Sequence, residues 1–297
     1  MSAPAGTPEL AIVTVSYSSG DVLPGLLASV DAATQAQKVV IVSDNGSTDD
    51  TVASVRERFP DVVVHENGAN LGYGGAINAA LAAVAPHAEW ILVVNPDSEL
   101  SPGSVDELLR VARADDRVGA AGPRIVGEDG TPYPSARALP SFRTGVGHAI
   151  FANVWRRNPW TARYRQDDVV ARAEQLPVGW LSGSCVLVRG SAFRDLGGFD
   201  DSYFMYFEDV DLGRRLGEAG WVNLYVPSAT VMHVGATTAA KHPSRTLRAH
   251  HESAYRYMAR KHPEWWLAPV RGVIRLGLGI RVRWELREHR RNDRGPL

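Results

Sequence analysis

Leu10-Ala11-Ile12-Val13-Thr14-Val15 is an unbroken run of apolar and β-branched residues that opens into Ser16-Tyr17-Ser18-Ser19. A run of that length, closed by small polar residues, marks a strand buried on both faces. Outward from it the chain alternates. The spacing predicts a helix over 22–30, then a strand over 39–42 ending at Ser43-Asp44-Asn45-Gly46-Ser47, then a helix capped by Thr48 or Asp49 and running through Phe59. A third strand is expected over 62–65, a Gly- and Ala-rich helix over 72–85, and a fourth strand over 90–94 ending at Asn95-Pro96-Asp97. Ser101 is placed as the cap of another helix with Pro102 at its first position, and 118–121 as a short strand. Strands separated by helices give an α/β fold with a mostly parallel, Rossmann-like central sheet and right-handed crossovers. In such sheets the ligand crevice lies beyond the carboxyl ends of the strands.

The composition narrows the class. The chain has 297 residues, 44% hydrophobic and 22% charged, enough for one large domain or two small ones. A net charge of -1 supplies no global field toward nucleic acid. A single cysteine, Cys185, excludes disulfide frameworks and Cys-based zinc sites and fits a reducing compartment. Met1 to Pro8 has no apolar signal core, and no apolar run is long enough for a membrane span. These features lead to an expected cytoplasmic location.

Three strand ends carry usable chemistry. Thr14 to Ser18 offers hydroxyls and amides, Asp44 a carboxylate that can accept hydrogen bonds from a base or ribose, and Asp97 a hard oxygen ligand for Mg2+ or Mn2+. Singly each is an ordinary turn; together, at the ends of strands of one sheet, they point to a site. In Asn70-Leu71-Gly72-Tyr73-Gly74-Gly75, glycines enter a helix as they do where amides approach phosphate. The dinucleotide fingerprint is absent, because its third glycine would fall at Ile77, and no Walker lysine follows. Farther on, Glu208-Asp209-Val210-Asp211 packs three carboxylates into four positions before a helical pattern through Leu212 and Leu216. Carboxylates this close repel, which disturbs at least one pKa, and the helix dipole favours them at an N-terminus.

These segments, with Gly197-Gly198-Phe199-Asp200 and Val231-Met232-His233, resemble an inverting glycosyltransferase of family 2 with the GT-A fold, from the first strand to His233. Within the family the chain is most similar to rhamnosyltransferases. The resemblance implies transfer of L-rhamnose from dTDP-L-rhamnose to an N-acetylglucosaminyl-diphospho-polyprenol in making the arabinogalactan linker of the cell wall. It implies Asp209 as general base, with Glu208 orienting the acceptor. Thr14, Val15, Ser16, Tyr17 and Asp44 would line the nucleotide pocket, and Asn70, Gly75 and Asn78 would lie near the ribose and diphosphate. Asp97 and His233 would hold a divalent metal, Mg2+ or Mn2+. Asn95 stands where many members have a first carboxylate, which suggests a neutral ribose contact. Trp180, Ser182, Gly183 and Asp211 are placed on the acceptor side. Aromatic residues Trp180, Tyr203, Phe204, Tyr206 and Phe207 are candidates to exclude water.

The expected organisation is a catalytic domain over 1–240, its nucleotide-sugar half 1–125 and its acceptor half 126–240, followed by a helical extension over 241–297. Residues 133–175 read as an irregular acceptor-side loop whose Arg137, Arg143, Arg156 and Arg157 can meet a lipid diphosphate. From Arg271 onward eight arginines face three acids, interleaved with Val273, Ile274, Leu278, Ile280, Val282 and Leu286. That composition suits an anionic membrane interface at the inner face of the plasma membrane; a surface helix packed on the domain is the plainer alternative. The tail and its aromatic residues are also compatible with a homodimer. Other readings are a family 2 enzyme with another sugar or acceptor, a sugar nucleotidyltransferase, disfavoured by Ser16-Tyr17-Ser18-Ser19 where basic residues would be wanted, and a non-catalytic carbohydrate-binding protein.

Overall fold

A computed structural model describes residues 8–140, 174–233 and 243–292. The chain divides into two compact units, Met1–Ser202 with Glu208–Gly235, and Tyr203–Phe207 with Ala236–Leu297.

The strands of the first unit are β1 (Leu10–Ser16), β2 (Lys38–Asp44), β3 (Val63–Glu66), β4 (Trp90–Val94), β5 (Ser98–Leu100), β6 (Val118–Val126), β7 (Pro132–Tyr133), β8 (Ala136–Arg137), β9 (Leu176–Val178), β10 (Trp180–Leu181), β11 (Cys185–Arg189) and β12 (Val222–His233). Its helices are α1 (Leu23–Ala33), α2 (Thr51–Arg58), α3 (Tyr73–Val84), α4 (Ser104–Arg113), α5 (Gly190–Asp195) and α6 (Glu208–Glu218). The main sheet runs β3-β2-β1-β4-β11-β6-β12-β5. From β3 to β4 every pairing is parallel, as is β6 with β12. β11 runs antiparallel between β4 and β6. The chain order reverses between β1 and β4, which makes their carboxyl ends the topological switch point where α/β sheets hold ligands.

β1 shows why the sheet can carry two helical layers. Successive side chains of a strand face opposite ways. Leu10 and Ile12 join one core cluster with Leu23 and Leu26 of α1 and Leu108 of α4, while Ala11, Val13 and Val15 join the other with Ile77 and Ala80 of α3 and Leu212 of α6. β4 repeats the division, with Trp90 and Leu92 on the first side and Ile91 and Val93 on the second. Small residues let α3 lie close: a Cβ on Gly74 would come within 2.7 Å of Phe199 Cβ.

Several expectations change. Ser101 and Pro102 form a turn, and α4 starts at Ser104 after Gly103, whose φ of +71° suits glycine. α2 starts at Thr51, and neither Thr48 nor Asp49 is its cap residue; Asp49 instead accepts the Thr51 N–H from one position outside the cap. The strand expected over 118–121 extends to Val126, because β12 and β7 flank its second half. Of the irregular loop over 133–175, the described ends form short ladders, β6 with β7 and β8 with β10; Arg143, Arg156 and Arg157 lie outside the described residues.

The second unit contains α7 (Pro243–Lys261), a 3-10 turn over Trp265–Leu267 and α8 (Ala268–Asn292). Ser253 Oγ donates to the Met205 carbonyl, and the Arg260 guanidinium lies over the Tyr203 ring. Tyr206 meets His250, and Phe207 meets His250 and Tyr257. Tyr203, Tyr206 and Phe207 therefore pack on α7 and serve that core, in place of the water-excluding role considered for them. Tyr206 and Phe207 each take φ of +67°, a left-handed conformation that aromatic residues seldom adopt and that costs about 1–3 kcal/mol per residue.

Candidate active site

The loops after β1 and β2 are tied together. Asn45 N–H donates to the Ser16 carbonyl at 2.8 Å, and Ser18 N–H to Ser47 Oγ at 2.8 Å. Asp44 is buried and accepts N–H bonds from Gly46 and Ser47, both at 3.1 Å to Oδ2. Thr14, Val15 and Ser16 are buried in the sheet, and Tyr17, just after β1, is half-buried.

The glycine-rich entry to α3 is built differently from the expectation. Asn70 Oδ1 accepts the Gly72 N–H and faces Asn45 Nδ2, so it shapes its own turn. Asn78 is engaged at both ends of its amide: Nδ2 donates to the Phe199 carbonyl at 2.8 Å, and Oδ1 accepts the Phe199 N–H at 3.0 Å. It staples the Gly197-Gly198-Phe199 turn to α3, so both ends of its amide are engaged within the fold. At Gly75 a Cβ would meet only ordinary van der Waals neighbours; the close approach belongs to Gly74.

The loop after β4 carries the next group. β12 bends at an irregularity between Val226 and Thr230, then pairs antiparallel with β5, setting His233 opposite Ser98. His233 Nε2 comes to 3.1 Å from Asp97 Oδ1 and 3.2 Å from Asn95 Nδ2. Asp97 and His233 thus meet, although 136 positions separate them in the chain. A carboxylate and an imidazole form a donor pair suited to Mg2+ or Mn2+, ions that take further ligands from substrate phosphates and water. Among the described residues no group of three or more His, Cys, Asp or Glu assembles; Asp97 and His233 are the pair that meets here.

Glu208, Asp209 and Asp211 do open α6, in its first turn, but they diverge. Asp211 is buried and paired twice, with Arg214 at 2.7 Å and Arg215 at 2.6 Å. Arg215 also donates to the carbonyls of Leu196 and Gly198. Asp211 is therefore a structural bolt, which corrects its placement on the acceptor side. Asp209 is half-buried; Oδ2 accepts the Gly183 N–H at 2.9 Å and Oδ1 the Val210 N–H at 2.8 Å. Burial raises its pKa above the ordinary carboxylate value, against those N–H donors and the Arg137 charge, which lower it. Glu208 is buried, its Oε2 has no hydrogen-bond partner among the described residues, and burial followed by the Asp209 charge pushes its pKa well above the ordinary range. The pair thus separates into one carboxyl strongly biased to hold its proton and a second, better-solvated one braced by amides.

Ser182-Gly183-Ser184 forms the bridge to β4. Ser182 Oγ donates to Ser184 Oγ, and the Asn95 N–H donates to the Ser184 carbonyl at 2.9 Å. Trp180 donates to the Ala138 carbonyl and lies under Arg137. Tyr73, at the first position of α3, was missed by sequence reasoning: its hydroxyl lies 2.9 Å from Asn95 Oδ1 and 2.8 Å from the Gly183 carbonyl. The glycines around it drew the attention, yet an aromatic at a helix N-terminus flanked by glycines was the available signal. Asp97, His233, Asn95, Tyr73, Gly183 and Asp209 are linked by successive contacts into one constellation beyond the sheet's switch point.

A model of the "Glycosyltransferase like family 2" domain matches residues 8–251. The chain is 47% identical to the N-acetylglucosaminyl-diphospho-decaprenol L-rhamnosyltransferase of Mycobacterium tuberculosis (strain ATCC 25618 / H37Rv), over 96% of each chain. It is 44% identical to the rhamnosyltransferase WbbL of Escherichia coli (strain K12) over 28% of this chain and 32% of that one. Among solved structures, it is similar to the mannosyltransferase PcManGT from Pyrobaculum calidifontis in complex with GDP-Man and Mn2+ (TM-score 0.59, 16% identity, 95% of this chain and 73% of that one). GalNAc-T7 with UDP, GalNAc and Mn2+ gives a TM-score of 0.60 at 14% identity, over 93% of this chain and 55% of that one. At such identities the likeness shows the fold, GT-A.

Proposed function

This chain belongs to the family 2 glycosyltransferases, and from that premise we propose that it moves L-rhamnose from dTDP-L-rhamnose to N-acetylglucosaminyl-diphospho-polyprenol, with inversion, in building the arabinogalactan linker of the cell wall. The observation that carries this choice of sugar and acceptor is the 47% identity to the decaprenol-linked rhamnosyltransferase, which extends over 96% of both chains. The linked constellation from Asp97 to Asp209 supports the chemistry.

The reaction is one displacement. The acceptor oxygen forms a bond to the anomeric carbon as the bond from that carbon to the diphosphate oxygen breaks, and the acceptor proton passes to Asp209. Asp209 suits this because its raised pKa makes it a stronger base than a solvated carboxylate, while two N–H donors keep it ionisable. Glu208, biased toward its protonated form, can donate a hydrogen bond to the acceptor and orient it. Asp97 and His233 would hold a divalent cation, Mg2+ or Mn2+, which neutralises charge developing on the leaving diphosphate. Asp44 would read the base from the far end of the crevice. Arg137, whose charge acts on Asp209, would meet the diphosphate of the lipid acceptor.

The acceptor's polyprenyl chain requires a membrane surface. Among the described residues no helix is long and apolar enough to cross one. The C-terminal unit, however, exposes Trp265, Trp266, Val270, Val273 and Leu276, five of the seven exposed large hydrophobics of the described chain. These share the segment with the Arg surplus, the pairing of apolar anchors and basic residues that holds a helix to an anionic interface at the inner face of the plasma membrane.

The test is a panel of nucleotide sugars offered to the purified protein with membranes containing polyprenyl-diphosphate-linked N-acetylglucosamine. Product from dTDP-L-rhamnose above all others is expected; transfer from a different donor, or none to this acceptor, would replace the reading with another family 2 specificity.

A further inference from the structure

We infer that Tyr73 is a positioning residue for the transfer reaction, its phenol setting the distance between the donor-side group of Asn95, Asp97 and His233 and the acceptor-side base Asp209. The inference rests on the proposed roles of Asp97 and Asp209.

Two loops meet at one oxygen carried by α3. Tyr73 Oη lies 2.9 Å from Asn95 Oδ1, on the loop after β4, and 2.8 Å from the carbonyl of Gly183, on the turn before β11. Each of those residues touches one half of the proposed chemistry. Gly183 gives its N–H to Asp209 Oδ2 at 2.9 Å. Asn95 places Nδ2 3.2 Å from His233 Nε2, which itself meets Asp97. As placed, the single phenol proton is shared between two acceptors, Asn95 Oδ1 and the Gly183 carbonyl; with the Asn95 amide turned, the phenol donates to Gly183 and accepts from Asn95 Nδ2, and both contacts are full hydrogen bonds. The turn also lies beside both groups: a Cβ on Gly183 would make ordinary van der Waals contact with Asp209 Cβ at 3.4 Å and Tyr73 Cε1 at 3.6 Å.

The surroundings keep the phenol neutral. Burial, then the charges of Glu208, Asp209 and Asp97, raise its pKa well above the ordinary tyrosine value. Tyr73 therefore acts through its hydrogen bonds and not as a base. Asn95 also acquires a different duty from the ribose contact suggested by its place in the motif. An amide there supplies a donor and an acceptor, and so can face a hydroxyl and an imidazole together; a carboxylate, which only accepts, cannot donate to either.

Tyr73→Phe removes the oxygen and keeps the ring. Displacements of about 1 Å in reacting groups can cost two orders of magnitude, so kcat is expected to fall roughly 10- to 100-fold, with donor and acceptor KM nearly unchanged. The fraction of dTDP-L-rhamnose lost to water, not transferred, should rise. Asn95→Ala should give the same pattern, and the double variant should be little worse than either single one, because both cut the same link. Wild-type kcat and partitioning in Tyr73→Phe would overturn the inference, as would a loss expressed wholly in donor KM, or single effects that simply multiply. Asn95→Ala carries the same test should the phenylalanine variant fail to fold. Asp209→Asn, run alongside, separates the levels: if it turns over normally the base assignment has failed, whereas an inactive Asp209→Asn beside a normal Tyr73→Phe rejects the positioning role alone.

Discussion

Replacing Asp209 with asparagine separates proton removal from the other duties of this side chain. Each carboxylate oxygen accepts one backbone N–H, from Gly183 at 2.9 Å and Val210 at 2.8 Å. Asparagine keeps the shape and one acceptor but turns an NH2 toward the other N–H, which costs about 1–3 kcal/mol of local stability. It cannot take the acceptor's proton. A positioned general base is worth roughly 10²- to 10⁴-fold, or about 3–5 kcal/mol of barrier, and kcat should fall by that factor. Donor affinity, proposed to draw on Asp97, His233 and Asp44, should remain within about twofold of wild type by calorimetry. A pH series adds an independent arm. Burial, opposed by the two N–H donors, holds Asp209 above its ordinary value of 3.8. The base works ionised, so wild-type kcat should be low on the acid side, rise with pH through that elevated pKa and level off above it; in Asp209→Asn this limb should vanish. The assay is transfer of labelled sugar to acceptor-bearing membranes at saturating donor. A variant with wild-type turnover, or with the acid limb intact, refutes the assignment of Asp209 as base.

Asp97→Ala removes one of two proposed metal donors; donor affinity measured by calorimetry in Mn2+ should weaken about tenfold or more, about 1.4 kcal/mol, and equal affinity with and without the substitution would reject the role. Asp211→Ala strips the shared partner from Arg214 and Arg215, whose side chains are 16% and 19% exposed; urea unfolding should show a loss of about 3 kcal/mol, and a loss below about 0.5 kcal/mol would mean that the cluster is not a bolt. Substituting Trp265, Trp266 and Val273 together by serine should abolish flotation with vesicles rich in anionic phosphatidylglycerol while leaving the circular dichroism spectrum unchanged; unaltered flotation would remove these side chains from the account.

The sheet was legible because its signals are local. The alternation of Leu10, Ile12 and Ala11, Val13 between two clusters follows directly from a strand flanked by two helical layers, and the polar ends at Asp44 and Asn95 mark where such strands stop. What the sequence left hidden depends on partners. Nothing in Cys185–Arg189 announces that it runs antiparallel between two strands that precede it, since burial on both faces looks alike in either direction. The meeting of His233 with Asp97 depends on a bend in β12 and on the register of Ser98, which periodicity does not report. Tyr73 was hidden by the glycines beside it.

The acidic run is a different case, because the distinction between its members was present in the sequence. Asp211 is followed at three and four positions by Arg214 and Arg215, the spacing at which helical side chains meet, and both ion pairs form. Residues 212 and 213, the corresponding positions after Asp209, are Leu212 and Gly213, so no cation of its own helix can neutralise it. The repulsion expected from three adjacent carboxylates is accordingly uneven. Asp211 is satisfied within α6, and the pKa displacement falls on Glu208 and Asp209. Glu208 and Asp209 both lack a basic residue one turn onward, and what separates them is tertiary: Glu208 is buried, whereas Asp209 is braced by the amide of Gly183, from a loop that Tyr73 ties to Asn95.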